Sequence, residues 1–302
     1  MGIRFNTVRL LAETLKQLGD VSGKKLLTLG VQDCYFTYDE ILQFLRRHGV
    51  PYHSLNPGDI KETTGFKWAQ GPEAQQYRDC IHQTTFFRLL GFKPENICSL
   101  DASNYEGADI VHDLNAPVEE SFYSRFDLIF DAGTIHYVFS VKDAFFNVGH
   151  MCKVGGAIIN FNPIDYSDSG FVGLNADLFR DFYLHNGFEA MELKYIAIPR
   201  HRRINEHYLE FSCESFSYSL QPYYTTSVYS VFRKSEEKSL KVPIQSFWES
   251  IYVRKAMDHS SPHSMVRKIL SVLLRDAVGS YFIPTIVTRG LIERMRAKRV
   301  NL

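Results

Sequence analysis

Apolar residues recur at helical spacing over residues 6–18, at Val8, Leu10, Leu11, Leu15 and Leu18, and predict an amphipathic helix. After a Gly23-Lys24-Lys25 turn, the run KLLTLG is continuously apolar and ends in Gly30. It predicts a first parallel strand, covered on both faces. Helical spacing returns over 38–48, closed by Gly49 and Pro51, and again over 75–90, ending at Gly91. Between them, about residues 50–75 are rich in Pro, Gly, Asn and Thr and predict a long irregular insertion. A loop of that length in a compact domain is usually functional or mobile.

NICSLDAS and ADIVHDLN predict two strands, ending at Asp101 and Asp113. Residues 126–163 read as one βαβ unit. It has a buried strand over 126–130 with Asp131 at its end, a loop, a helix, a Gly155-Gly156 turn and a second buried strand over 157–161. A helix over 175–185 and the Asn186-Gly187 pair lead into a strand over 188–198. SVYSVFRK, at 227–234, is the last strand and is expected to run antiparallel to that neighbour. Alternation of this kind predicts an α/β fold with a doubly wound, mostly parallel sheet. That domain is expected over 1–238. The remainder, 239–302, shows helical patterns at 244–257, 264–277 and 285–299 and is expected to be a helical extension.

Composition narrows the function classes. The 302 residues are 45% hydrophobic, enough for one large α/β domain with an appendage. Formal net charge is zero, so no global field points to nucleic acid. The five cysteines are scattered without a CxxC pair, which suits reduced thiols in a cytoplasmic protein better than disulfides or a zinc site. His112, His150 and His185 have no ligand spacing with nearby acids, and no metal is expected. Charge is uneven, however: residues 254–299 hold ten Lys/Arg against three Asp/Glu. The plainer reading is a solvated helical face. The sharper one is a basic amphipathic surface for a peripheral membrane contact, an acidic partner or an anionic substrate.

Three successive strands end in an acid: Asp101, Asp113 and Asp131. Each could cap a helix, but three in register favour a ligand cleft, because open α/β sheets bind ligands at the carboxyl ends of their strands. The spacing does not predict a dinucleotide. That fingerprint wants GxGxxG and an acid about 20 residues later. Here the second and third glycine positions are Gln32 and Tyr35, and Asp101 lies much further on. No GxxxxGK[ST] phosphate loop occurs either.

KKLLTLG, SLDAS, ADIVHDLN, FDLIFDAGTIHYVF, HMCKVGGAIIN and NADLFRDFYLHNGFEAMEL, in that order, resemble the motif series of the class I S-adenosylmethionine-dependent methyltransferases. The resemblance covers about residues 24–198. It implies a Rossmann-like methyltransferase sheet with an antiparallel last strand, S-adenosyl-L-methionine as cofactor, and transfer to O or N of a small molecule or biosynthetic intermediate. It implies Gly30 beneath the methionine portion, with Gln32 beside it. Asp101 and Ala102 would sit at the ribose, Asp113 and Leu114 at the adenine, and Asp131 and Gly133 at the amino and carboxylate end. Where the family usually has an acid before the first glycine and further glycines after it, this chain has Thr28, Gln32 and Cys34. Either Gln32 and the bulky loop expected over 33–37 replace those contacts, or the fold serves as a non-catalytic binding or scaffold module. An α/β enzyme acting on nucleotide sugars is a third reading, disfavoured by the missing pyrophosphate fingerprint.

Methyl transfer needs a nucleophile aimed at the methyl and often a base. His136, five residues past Asp131, is the candidate base, with Tyr137 as its neighbour; the plainer reading is a histidine held for structure. Tyr166 and Asp168, after the fifth strand, are candidate substrate contacts. Tyr35, Phe36 and Trp68 are candidate covers for the cofactor, and His201 in the PRHRR cluster is a weaker anion-binding candidate.

Overall fold

A computed structural model describes residues 2–63, 66, 75, 77–165, 170–199, 207–213, 224–246 and 298–299. In chain order these form β1 (Gly2–Ile3), α1 (Phe5–Leu18), β2 (Leu26–Leu29), β3 (Asp33–Thr37), α2 (Tyr38–Arg47), β4 (Cys80–His82), α3 (Gln83–Leu89), β5 (Ile97–Asp101) and β6 (Ile110–Val111). Then come β7 (Phe126–Asp131), α4 (Val141–Met151), β8 (Cys152–Pro163), α5 (Ala176–His185), β9 (Phe188–Pro199), β10 (Leu209–Ser212), β11 (Tyr224–Lys234) and β12 (Lys298–Arg299).

Among the described residues the main sheet has nine strands, in the order β12-β10-β9-β11-β8-β7-β2-β5-β6. From β8 to β6 every pairing is parallel. The first of these five strands in sequence, β2, lies centrally, with β5 and β6 to one side and β7 and β8 to the other. The direction of winding therefore reverses between β2 and β7, which is where doubly wound sheets place their ligands. β11 runs antiparallel between β8 and β9. The fold is thus the expected Rossmann-like doubly wound sheet with an antiparallel last strand.

Burial explains the layering. Leu26, Leu128, Phe130 and Ile159 face a core shared with α1, α2 and α3, through residues such as Leu11, Phe44 and Phe86. Their sequence neighbours Leu27, Leu29, Ile129 and Ile158 face a second core with Phe145 of α4 and Phe179 of α5. Strands apolar on both faces can only sit between two helical layers. Local signals agree with this. Thr37 and Glu40 form a reciprocal capping box on α2, and Asn175 Oδ1 accepts from Leu178 N at 3.0 Å to start α5.

The chain leaving β11 folds back over α4 and α5. Lys234 is fully buried, and its Nζ donates to Gly149 O at 3.1 Å and Cys152 O at 3.0 Å at the end of α4. Leu240 packs where a side chain on Gly149 would stand. Lys241 exchanges two hydrogen bonds with the Asn186 amide. Ser246 N donates to Asp181 at 2.9 Å.

Several expectations need correction. The helix expected over 75–90 is only α3; Cys80–His82 is a strand, and His82 Nδ1 accepts from Thr84 N to cap the helix after it. β4 joins β1 and β3 in a separate three-stranded sheet, so 33–37 is a strand and not a loop. β6 ends at Val111, two residues before Asp113. Gly155-Gly156 is no turn between helix and strand but an irregularity inside the long β8, with Gly155 at φ 81° and a register shift against β7. Lys298–Arg299, expected as the end of a helix, pairs with β10. The rest of the three tail patterns, apart from 244–246, lies outside the described residues. No helix among the described residues is long and apolar enough to cross a membrane.

Candidate active site

The carboxyl ends of β2, β5, β6 and β7 open into a cleft of about 460 Å³. Its wall contains Gly30, Gln32, Asp101, Ala102, Asp113, Leu114, Gly133 and Tyr137, eight of the residues singled out from the sequence. Gly30 follows β2 directly at φ 77°, and its N–H donates to Leu100 O at 2.7 Å. A side chain there would begin 2.9 Å from Thr134 Oγ1, so the position requires glycine on two counts. Thr134 Oγ1 in turn donates to Leu29 O, tying the turn after β7 to the end of β2.

Gln32 stands where the resembled family would have a glycine. Its N–H donates to Gln83 Oε1 at 2.8 Å, and its Nε2 donates to Leu29 O. Its Oε1 is buried without a hydrogen-bond partner. A buried amide oxygen left open on a cleft wall suits a ligand that donates, such as an ammonium. Asp101 Oδ1 accepts from Ser103 N at 3.1 Å, while its Oδ2 lies 3.7 Å from where a Gly30 side chain would begin. Asp113 Oδ1 accepts from both the backbone and the side-chain nitrogen of Asn115, which holds its carboxyl below the usual range. These two carboxylates, half-engaged and facing one cleft, can take hydroxyl or amino donors.

Asp131, the third of the strand-end acids, is elsewhere. It is completely buried behind the cleft wall. Thr134 N donates to its Oδ1 at 2.7 Å and Asn162 Nδ2 to its Oδ2 at 2.6 Å. Burial pushes its carboxyl up to about 6, against the pull of Asn162 and of the N–H groups of Thr134, Ile135 and Gly133. Asp131 thus fixes the turn that presents Gly133 and Thr134 to the cleft, and does not face the cleft itself.

His136 lies in the short turn Ile135–Tyr137 and is also completely buried. Neither ring nitrogen has a partner of hydrogen-bonding geometry. Burial pushes its pKa down to about 4, with the nearby Asn162 side chain pulling the other way. The imidazole is therefore neutral at pH 7, with one N–H and one lone pair. Residues 170–172 close over it. Phe171 N donates to His136 O at 2.8 Å, and a side chain on Gly170 would begin 2.3 Å from the imidazole Cδ2. Tyr137, its ring centroid 4.0 Å from that of His136, is half-exposed and lies on the cleft wall.

The cleft also takes in Asp33, from the segment expected to replace the glycine contacts, and residues that pattern reading passed over, among them Glu106, His112, Asn115 and Thr134. Thr134 was findable as the neighbour of Gly133. Glu106 and His112 carry no local signal. Of the candidate cofactor covers, Tyr35 lines the cleft whereas Phe36 is buried in the core. Tyr166, Asp168, Trp68 and His201 lie outside the described residues. Among the described residues, no three His, Cys, Asp or Glu side chains come together as a metal-binding group.

No family model matches the chain, and no curated protein matches it. Solved structures that align with it include methyltransferases and a synthase. The CurJ carbon methyltransferase aligns at 13% identity and a TM-score of 0.36, over 77% of this chain and 54% of that one, so this chain spans about half its length. A SAM-dependent methyltransferase from Aquifex aeolicus aligns at 11% identity and a TM-score of 0.32, over 72% and 87% of the two chains. The branched-chain polyamine synthase from Thermus thermophilus, in complex with N4-aminopropylspermidine and 5'-methylthioadenosine, aligns at 17% identity and a TM-score of 0.34, over 80% and 59%. The fold class rests on the strand order itself and not on these distant likenesses.

Proposed function

We propose that the cleft binds S-adenosyl-L-methionine and that the protein transfers its methyl group to O or N of a small molecule. The carrying observation is the meeting of Gly30, Asp101, Asp113, Leu114 and Gly133 on one wall at the switch point of the sheet. The donor set fits such a ligand. Asp101 would hold the ribose hydroxyls, Asp113 and the buried Leu114 would border the adenine, and Gln32 Oε1 would accept from the amino group. When bound, the cofactor supplies an electrophilic methyl on a sulfonium. The chain's own part is to orient the acceptor and receive its proton. His136, neutral with an open lone pair, is the residue for that proton. Tyr137, whose ring packs against that imidazole, lines the cleft.

Titration calorimetry with S-adenosylhomocysteine tests the reading. Binding in the micromolar range that Asp101→Ala weakens supports it; no heat at millimolar ligand sinks it. One observation favours the alternative of a non-catalytic binding module: the Gln32 side chain reaches across the end of β2 in place of a glycine. If Gln32 obstructs the cofactor, Gln32→Gly should create binding that the parent chain lacks.

A further inference from the structure

Past the end of β6 the chain continues through 112–118 and lays four consecutive residues, His112, Asp113, Leu114 and Asn115, along the cleft wall. Neighbouring elements clamp this loop. Asn147 of α4 is buried and uses its whole amide on it. Its Oδ1 accepts from Val118 N at 2.9 Å, and its Nδ2 donates to Leu114 O at 3.1 Å and to Ala116 O at 2.8 Å. His112 N donates to Asp101 O at 2.8 Å, which ties the start of the loop to the end of β5. Ser140 N donates to Asn115 Oδ1 at 2.8 Å. A loop held at both ends keeps its side chains in place before a ligand arrives, so less ordering is left to binding.

The clamp decides the state of one imidazole. His112 Nε2 lies 3.0 Å from Ala116 O, the same carbonyl that Asn147 holds. A carbonyl only accepts, so Nε2 carries the hydrogen, and in the neutral ring the lone pair is left on Nδ1. Among the described residues nothing hydrogen-bonds to that nitrogen. The next residue is arranged likewise. Asp113 Oδ1 takes the backbone N–H of Asn115 at 2.9 Å and its side-chain N–H at 2.8 Å, while Oδ2 has no partner among the described residues. Two adjacent residues on the cleft wall thus each have one polar atom fixed by the loop and one acceptor unmet. No Lys or Arg among the described residues lines the cleft to compete for them. Two neighbouring acceptors match a group that carries two hydrogens in one plane, as an amino group on an aromatic ring does. A ring carbonyl in its place would set its lone pairs against a carboxylate and an imidazole nitrogen, and leave both unpaired.

We infer that His112 joins Asp113 in reading the 6-amino group of the cofactor's adenine, and that His112 sets the specificity for that base. The inference rests on the cofactor reading above. One amino hydrogen goes to His112 Nδ1 and the other to Asp113 Oδ2. Asn147 fixes Ala116 O, and Ala116 O fixes which imidazole nitrogen can accept. Such a site rejects a 6-oxo base more strongly than it attracts a 6-amino one. Polar groups that a bound ligand shuts off from water cost more when unpaired than one hydrogen bond gains.

The test compares S-adenosylhomocysteine with S-inosylhomocysteine, in which a 6-oxo group replaces the 6-amino group. Calorimetric titration into the full chain should give binding at least about 30-fold tighter for the adenosyl ligand, the size of two hydrogen bonds of which one is to a charged group. His112→Phe should cut that ratio at least about fivefold by weakening the adenosyl ligand. The inosyl ligand, which has no hydrogen for Nδ1, should bind the variant no more weakly than the parent chain, and so reports that the variant is folded. His112→Asn, whose amide oxygen can stand near the place of Nδ1, should recover part of the ratio. A smaller preference in the parent chain, a smaller cut by His112→Phe, or no recovery in His112→Asn overturns the inference. If S-adenosylhomocysteine binds and the ratios fail, only the assignment of His112 falls. If it does not bind at millimolar concentration, the cofactor reading falls and this one with it.

Discussion

The two sides of the β2–β7 switch point solve the same problem in opposite ways. On the cleft side, the carboxylates of Asp101 and Asp113 are near solvent and half-answered by their own loops, through Ser103 and Asn115. On the buried side, Asp131, Asn162 and His136 see no water and are answered only in part. Solvated groups can bind hydroxyls reversibly at little cost to the fold. Buried groups hold stronger interactions because the surroundings are less polar, and each one left open costs stability. The first wall is open to a ligand, whereas the second holds the turn behind it.

The comparison breaks most sharply at Asn162. Replacing it with leucine leaves the Asp131 carboxylate buried without its amide partner. Urea unfolding at pH 7 should show a loss of about 3 kcal/mol or more. A change under about 0.5 kcal/mol, the range of ordinary surface substitutions, would mean that Asn162 does not hold the Asp131 carboxylate as described.

The two buried titrating groups give the next largest effect. Burial raises the Asp131 pKa to about 6, so between roughly pH 4 and 6 the native chain keeps a proton that the unfolded chain has shed. Stability from this group falls as pH rises through that window, by about 3 kcal/mol in all. His136 is lowered to about 4, so the unfolded chain holds a proton that the native chain refuses, and its stability contribution rises over the same window. The two slopes oppose each other. Relative to the parent chain, Asp131→Asn should therefore gain stability from pH 4 to 6, and His136→Phe should lose it. Urea midpoints measured at three pH values check both signs, and equal slopes in all three proteins would refute the pairing.

On the cleft side the effects should be smaller on the fold and larger on ligand. Gly30→Ala forces a side chain into a left-handed backbone beside Thr134 and should cost about 1–3 kcal/mol, read by thermal unfolding. Asp101→Asn should leave stability unchanged and weaken S-adenosylhomocysteine by about 10-fold, through one charge-assisted hydrogen bond. Destabilisation by Asp101→Asn would place that carboxylate with the buried set.

The order of the main elements was legible because strands covered on both faces are continuous apolar runs, as in KLLTLG, FDLIFD and AIINF. The cleft wall was legible because Gly30, Asp101, Asp113 and Gly133 sit directly at or just past strand ends. The small sheet was not. Its strands are two to five residues long, and DCYFT alternates so briefly that it reads as loop. The division between the two walls was hidden as well. Asp101 and Asp131 look alike in the sequence, each following an apolar run. What separates them is Asn162, which reaches Asp131 from a different strand, and no local pattern records a side chain arriving from 31 residues away.

The fold-back after β11 bears on where this protein can be shortened. Leu240 occupies the space above Gly149, Asn186 holds Lys241 at both its donor and its acceptor, and Asp181 receives Ser246. A chain cut just after β11 would therefore uncover the outer faces of α4 and α5 and strand the Asn186 amide, inviting aggregation. A cut after Ser246 keeps these contacts but removes β12, which pairs with β10 at the edge of the sheet.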